Sequence, residues 1–190
     1  MSCIGIFGGS FDPVHLEHIK IINVIFDEFN VDKIIVVPAY KPPHKKFLNV
    51  SCEHRINMLE LALRKLKNVF IDTFEIDCKR TVYTYETLDY LQEKYLNAKL
   101  KLIIGADSFN NLDHWKKSEY IAKKYGFLVV NRENTQIDEN SIFFQYSKFT
   151  SFKGKISSTN VRKNIKLGVD ISCWIDYKVL NYIKENELYK

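Results

Sequence analysis

Glycine and proline are scarce in this 190-residue chain, at seven and four, and no apolar stretch approaches the roughly 18 residues that a bilayer span needs. Collagenous, low-complexity and helical membrane-spanning classes are excluded on that ground. Cysteine is sparse too. Cys3, Cys52, Cys78 and Cys173 are too dispersed for a CxxC redox or zinc motif, and a chain of this length folds without disulfide staples. The first thirteen residues lack a basic leader and a small-residue cleavage site, so a cytoplasmic protein with four reduced thiols is expected. Arginine is the next scarcity: of 28 basic residues, only those at 55, 64, 80, 132 and 162 are Arg. The lysines are scattered among acids, and no window gathers basic residues into a stripe with aromatics between them. The net charge of +5 therefore describes a solvated surface rather than a nucleic-acid face. A modest positive field suits a small polyphosphate equally well.

What is present is an ordinary globular composition, 46% hydrophobic and 14% aromatic. Gly5, Gly8 and Gly9 fall in the first nine residues, Pro13, Pro38, Pro42 and Pro43 all precede position 44, and Gly105 closes a later apolar run. Such breakers mark strand ends. Periodicity predicts strands at 3–7, 33–37, 69–74, 100–104, 127–131 and 142–146, and helices at 14–29, 51–66, 85–95, 118–125, 159–167 and 177–186. Pro13 is expected in the first turn of the first helix with Asp12 as its cap, and Thr84 as the cap of the third. Continuous apolar strands alternating with amphipathic helices predict an α/β fold, a Rossmann-like doubly wound parallel sheet, with ligands at the carboxyl ends of its strands. One domain is expected, comprising a sheet core over about 1–150 and a small C-terminal helical lobe over about 151–190.

The first strand–turn–helix carries the strongest chemical signal. Gly8 and Gly9 lie between strand and helix, where bare backbone brings N–H groups against an anion at a helix N-terminus. His15 and His18, three residues apart, face one pocket from the first helical turn. Singly, a Gly-Gly pair is a turn and a histidine is a core or surface residue. A zinc site would want an HExxH or a nearby cysteine pair, and neither is present. A second signal lies at Ser157, Ser158 and Thr159, hydroxyls that begin a helix, with Arg162 returning to that end one turn later. Taken alone this is a plain N-cap; beside the first signal it is a second anion cradle. The guanidinium supplies a planar fork that lysine cannot imitate.

The segment Gly8-Gly9-Ser10-Phe11-Asp12-Pro13-Val14-His15-Leu16-Glu17-His18 resembles the (H/T)xGH signature of the nucleotidyltransferases related to class I aminoacyl-tRNA synthetases. Ile156-Ser157-Ser158-Thr159-Asn160-Val161-Arg162 resembles the same family's ISSTxxR signature. Glu17 stands where the family has glycine. Helical geometry puts it about 200° from His15, directed away from the phosphates. Three further stretches resemble the bacterial-type nicotinate mononucleotide adenylyltransferases: Pro42-Pro43-His44-Lys45, Tyr83-Thr84-Tyr85-Glu86-Thr87-Leu88, and Ile103-Ile104-Gly105-Ala106-Asp107-Ser108 followed by Trp115. The resemblance continues through Arg132 and Tyr182-Ile183 to Tyr189.

Physically, paired prolines stiffen the loop carrying His44 and Lys45, an indole face at Trp115 suits a pyridinium ring, and Asp107 at a strand end can accept from ribose hydroxyls. The resemblance implies adenylyl transfer from Mg-ATP to nicotinate mononucleotide, giving deamido-NAD and pyrophosphate. Mg²⁺ would ride on phosphates and water without protein ligands of its own. It further implies ATP contacts from Gly8, Gly9, Ser10, Phe11, His15, His18, Gly105, Asp107, Arg132, Ile156, Ser157, Ser158, Thr159 and Arg162. The mononucleotide would meet Ser10, His44, Lys45, Tyr83, Thr84, Asp107 and Trp115, with catalysis assigned to His15, His18 and Arg162. Alternatives are a related transferase acting on nicotinamide mononucleotide or another phosphate ester, and a non-catalytic nucleotide sensor. The expected partners are the two small molecules, with no nucleic acid or membrane, and a homo-oligomer left open.

Overall fold

The β-branched runs form the middle of a sheet covered on both faces: Ile34, Ile35, Val36 and Val37 alternate in direction, yet none is more than 1% exposed. The computed structural model describes residues 1–42, 48–132 and 135–190, with the side chains of Arg132, Ser151 and Lys153 left out. In chain order the elements are β1 (Ser2–Gly9), α1 (Leu16–Glu28), β2 (Lys33–Pro38), α2 (Cys52–Leu63), β3 (Val69–Ile71), α3 (Phe74–Asp77), α4 (Thr84–Lys94), β4 (Ala98–Gly105), α5 (Ala106–Phe109), α6 (Ser118–Lys124), β5 (Phe127–Arg132), β6 (Ser147–Gly154), α7 (Ser158–Lys166) and α8 (Tyr177–Glu185). The strands are ordered β3-β2-β1-β4-β5-β6, and every pairing is parallel. Chain order reverses beside β1, where Phe7 pairs with Ile103 of β4 and with Val36 of β2, so the crevice between the ends of β1 and β4 is the switch point at which such sheets bind ligands.

One hydrophobic cluster joins the sheet to Ile22 and Ile25 of α1, Met58 and Leu59 of α2, Val161 of α7, and Val179 and Ile183 of α8. The other joins it to Leu88 and Leu91 of α4, Ile121 and Ala122 of α6, and Phe143. The C-terminal helices thus share the core of one sheet face. The boundary expected near residue 150 falls inside β6.

Several element expectations are corrected. The last strand is not at 142–146; Phe144–Tyr146 is a 3₁₀ turn and the strand follows it. The strand's sequence, Ser-Lys-Phe-Thr-Ser-Phe-Lys-Gly, is polar because it pairs on one side only, as sheet edges do. The third strand stops at Ile71, where Asp72 accepts the N–H of Phe74 and opens α3. Pro13 is not in the first helical turn and Asp12 is not its cap: the Asp12–Pro13 peptide is cis and His15 is the N-cap. Tyr83, not Thr84, precedes α4 as its N-cap, its N–H donated to Glu86. No helix among the described residues is long and apolar enough to cross a membrane.

Because α8 buries Ile183 in the same cluster as β1 and β2, Ile183→Ala should cost about 2–5 kcal/mol. Urea unfolding followed separately through Trp115 and Trp174 should remain one coincident transition; separated midpoints would mark an independent C-terminal unit.

Candidate active site

The turn after β1 is shaped by one aromatic ring. A Cβ on Gly9 would sit 2.9 Å from the ring of Phe11, so a hydrogen is all that fits there. Phe11 adopts a left-handed backbone (φ 48°) and is buried, its ring meeting Phe7 and His18 at centroid distances of 5.6 and 5.0 Å. It is a wedge beneath the imidazoles; any contact it makes with a nucleotide has to come from its backbone. Behind the turn, the fully buried Arg55 donates to the Ser10 carbonyl at 2.8 Å and to Cys52 Sγ at 3.2 Å.

His15, with extended backbone, starts α1, and its N–H donates to Nδ1 of His18 at 3.1 Å. Their rings lie 3.8 Å apart at 35°. With Nδ1 accepting, the neutral His18 carries its proton on Nε2, the tautomer able to donate to an anion. The two imidazoles meet as the spacing predicts.

The ISSTNVR segment docks directly on this turn. Ser157 caps α7, its Oγ accepting from the N–H of Asn160 at 3.2 Å. Ser158 Oγ donates to the Pro13 carbonyl at 2.9 Å, and Arg162 donates to the Asp12 carbonyl at 2.6 Å and more weakly to Thr159 Oγ1 at 3.4 Å. The two motifs therefore converge on residues 12–18. Ile156 and Ser157 enter half-buried, and Thr159 is exposed.

Asp12 is the centre of the arrangement. Its buried carboxylate takes the backbone and side-chain N–H groups of Asn49 at 2.9 and 2.8 Å and the Tyr189 hydroxyl at 2.9 Å, with an Arg162 nitrogen 4.0 Å away. Burial, and then the Asp12 charge, push the Tyr189 phenol well above its ordinary range, so it stays a donor. Sequence reasoning assigned no role to Asn49, Arg55 or Tyr189. Nothing local announces that residue 189 finishes a turn at residue 12.

Gly105 caps α5 from the end of β4, beside β1, and Asp107 stands exposed in the first turn. Farther along the crevice, Tyr83 stacks on Tyr85 at 6.3 Å, and Lys116, next to Trp115, lies 4.4 Å over the Tyr83 ring. Tyr83 and Thr84 thus lie close to the segment that carries Trp115, which is half-buried against the second cluster. The Tyr83 N–H is already held by Glu86 Oε2 at 2.9 Å and the Glu86 N–H by the Tyr83 carbonyl at 2.8 Å, which leaves the N–H groups of Thr84 and Tyr85 for a carboxylate. Arg80 holds the Glu86 carboxyl below its usual range, keeping this cap ionised. His44 and Lys45, and the side chain of Arg132, lie outside the described residues.

Residues 6–164 match the cytidylyltransferase-like family, a span enclosing both motifs. The chain belongs to that family. It is 37% identical over 193 residues to the probable nicotinate-nucleotide adenylyltransferase of Endomicrobium trichonymphae, covering all of both chains. To the protein of the same name from Borrelia hermsii it is 36% identical, covering 98% of this chain and 97% of the other. In fold it is similar to the Plasmodium falciparum nicotinic acid mononucleotide adenylyltransferase complexed with NaAD, at a TM-score of 0.87 and 22% identity over 100% of this chain and 98% of that one.

A phenol whose folded pKa is raised contributes stability below its unfolded value of about 10 and loses it as pH rises beyond. The stability gap between the native chain and Tyr189→Phe should therefore narrow above about pH 10. Urea titrations at stepped alkaline pH would show it; a gap independent of pH would place the hydroxyl's contribution elsewhere.

Proposed function

We propose that this protein is a nicotinate-nucleotide adenylyltransferase, carrying AMP from Mg-ATP to nicotinate mononucleotide and releasing pyrophosphate. The observation that carries the site assignment is the pair of hydrogen bonds from Ser158 and Arg162 to the Pro13 and Asp12 carbonyls, which seats the second anion cradle against the first. The mononucleotide as acceptor is supported by the full-length relatives and by Lys116, next to Trp115, lying over the ring of Tyr83.

The chemistry follows from these groups. An oxygen of the mononucleotide 5′-phosphate attacks the α-phosphorus of ATP in line, and the bond from that phosphorus to the bridging oxygen breaks as pyrophosphate leaves. The nucleophile is already an anion, so neither a protein base nor a covalent intermediate is required. Alignment and charge neutralisation do the rest. His18 donates from Nε2 to the α-phosphoryl oxygens with His15 beside it, and the Gly8–Gly9 turn lets the chain approach closely. Ser158, Thr159 and Arg162 take the leaving pyrophosphate, Arg162 exchanging the Asp12 carbonyl for phosphate oxygens. Gly105, Asp107 and Arg132 face the adenosine. Trp115 stacks on the pyridinium, first-turn amides of α4 take the nicotinate carboxylate, and Ser10, His44 and Lys45 meet the mononucleotide phosphate. Mg²⁺ would arrive with ATP, held by its phosphates and water, where it would neutralise phosphate charge.

Pyrophosphate release on mixing the protein with Mg-ATP and each candidate phosphate tests the reading. Release with nicotinate mononucleotide is expected. Faster release with nicotinamide mononucleotide would move the specificity, and nucleotide binding without release would make the protein a sensor. His18→Ala should lower turnover about 10²–10³-fold and, by leaving the His15 N–H without its acceptor, cost about 1 kcal/mol of stability; near-normal turnover would refute its role. Trp115→Ala should raise KM for the mononucleotide more than KM for ATP; equal effects would make the indole structural.

A further inference from the structure

Glu17 is a glutamate in the middle of a phosphate-binding motif, and it is 94% withdrawn from solvent: its relative exposure is 6%. A buried carboxylate is costly unless hydrogen-bonded, and this one is. Its Oε1 accepts the backbone N–H of Lys155 at 2.6 Å, within the charge-assisted range. Its Oε2 occupies the place a side chain would need at position 154, since a Cβ on Gly154 would come within 2.7 Å of it. Gly154 ends β6 with ordinary backbone dihedrals, so the close approach of Glu17 is what makes glycine the fitting residue there. Residues 17 and 154–155 form one interlocking joint, 138 positions apart in sequence at the hydrogen bond.

The joint differs in kind from the two other links between the motifs. Ser158 and Arg162 hold the Pro13 and Asp12 carbonyls with the very groups that the adenylyl-transfer reading assigns to the triphosphate, and on that reading those links exchange for phosphate oxygens. The Glu17 link uses a different pair, a carboxylate of α1 and a backbone amide just before the cradle, neither of which the proposed phosphate contacts employ. We infer that Glu17 is a positioning residue: through the Lys155 amide it fixes where residues 156–159 begin, holding the second cradle at the correct distance from His15 and His18 while Ser158 and Arg162 change partners.

The kinetic test rests on the adenylyl-transfer reading; a binding measurement does not. With the full chain, Glu17→Ala should raise KM for ATP about tenfold, the worth of one charge-assisted hydrogen bond, and leave KM for the mononucleotide within about twofold. Glu17→Gln keeps an oxygen acceptor and should restore most of the ATP KM. Gly154→Ala should mimic Glu17→Ala by pushing the carboxylate off the amide, and the double variant should be no worse than Glu17→Ala alone. Equal rises in both KM values, no rescue by Gln, or additive effects of the two alanines would overturn the proposal. If Glu17→Ala does not fold, Glu17→Gln and Gly154→Ala carry the comparison. Titration with a non-hydrolysable ATP analogue should show the same pattern in Kd. Should the wild-type protein release no pyrophosphate, the catalytic reading falls while this titration still decides the joint.

Discussion

The hydrogen bonds from Ser158 and Arg162 to two consecutive carbonyls at Asp12 and Pro13 span 145 and 150 positions of sequence. Every other feature of the candidate site presupposes them. They form because β1 occupies the middle of the sheet while α7 packs Val161 into the cluster that also buries Ile22 and Ile25. The sheet order thus brings the starts of α1 and α7 together, with backbone N–H groups, two imidazoles and a guanidinium gathered in one place. Preorganised donors of this sort contribute most where water is displaced and no reorganisation is left for the reacting moment.

Beneath that meeting point lies a second layer of polar groups that never face solvent. Asp12 gathers two donors from Asn49 and one from Tyr189, and Arg55 grips the neighbouring Ser10 carbonyl. Leaving any of these buried partners unmatched costs more than a surface contact returns, so the layer specifies one conformation of the turn. The left-handed Phe11, wedged over Gly9, is part of the same specification. Rigidity here complements the exchangeable grip of Arg162 above.

Much of this was legible in the chain. The β-branched run at 34–37 and the apolar end of β4 at 102–104, bounded by Pro38 and Gly105, announced central strands because burial on both faces favours continuous apolar residues, although Lys99 and Lys101 alternate with apolar residues earlier in β4. The His15–His18 spacing announced that the rings meet. The polar edge strand Ser147–Gly154 was read one element too early, because an edge strand is selected against looking like a core strand and Phe143 beside it looks apolar. Asp12 was read as a helix cap from its place before Pro13, although its partners lie at 49, 162 and 189. Helical arithmetic placed Glu17 away from the histidines, but nothing in the local pattern said that an amide at 155 would receive it. Short-range signals reveal what a segment can be; the partners of buried polar atoms are a property of the assembled topology.

The Tyr189 contact carries a consequence for how such a chain is made. A ribosome delivers the Gly8–His18 turn first and residue 189 long after it, and chains grow from the amino end. During elongation the turn's carboxylate therefore lacks its Tyr189 donor, although Asn49 and most of the sheet are already made. The polar layer beneath the turn is therefore completed only as the last residues arrive, and a chain shortened before Tyr189 leaves the Asp12 carboxylate short of one donor.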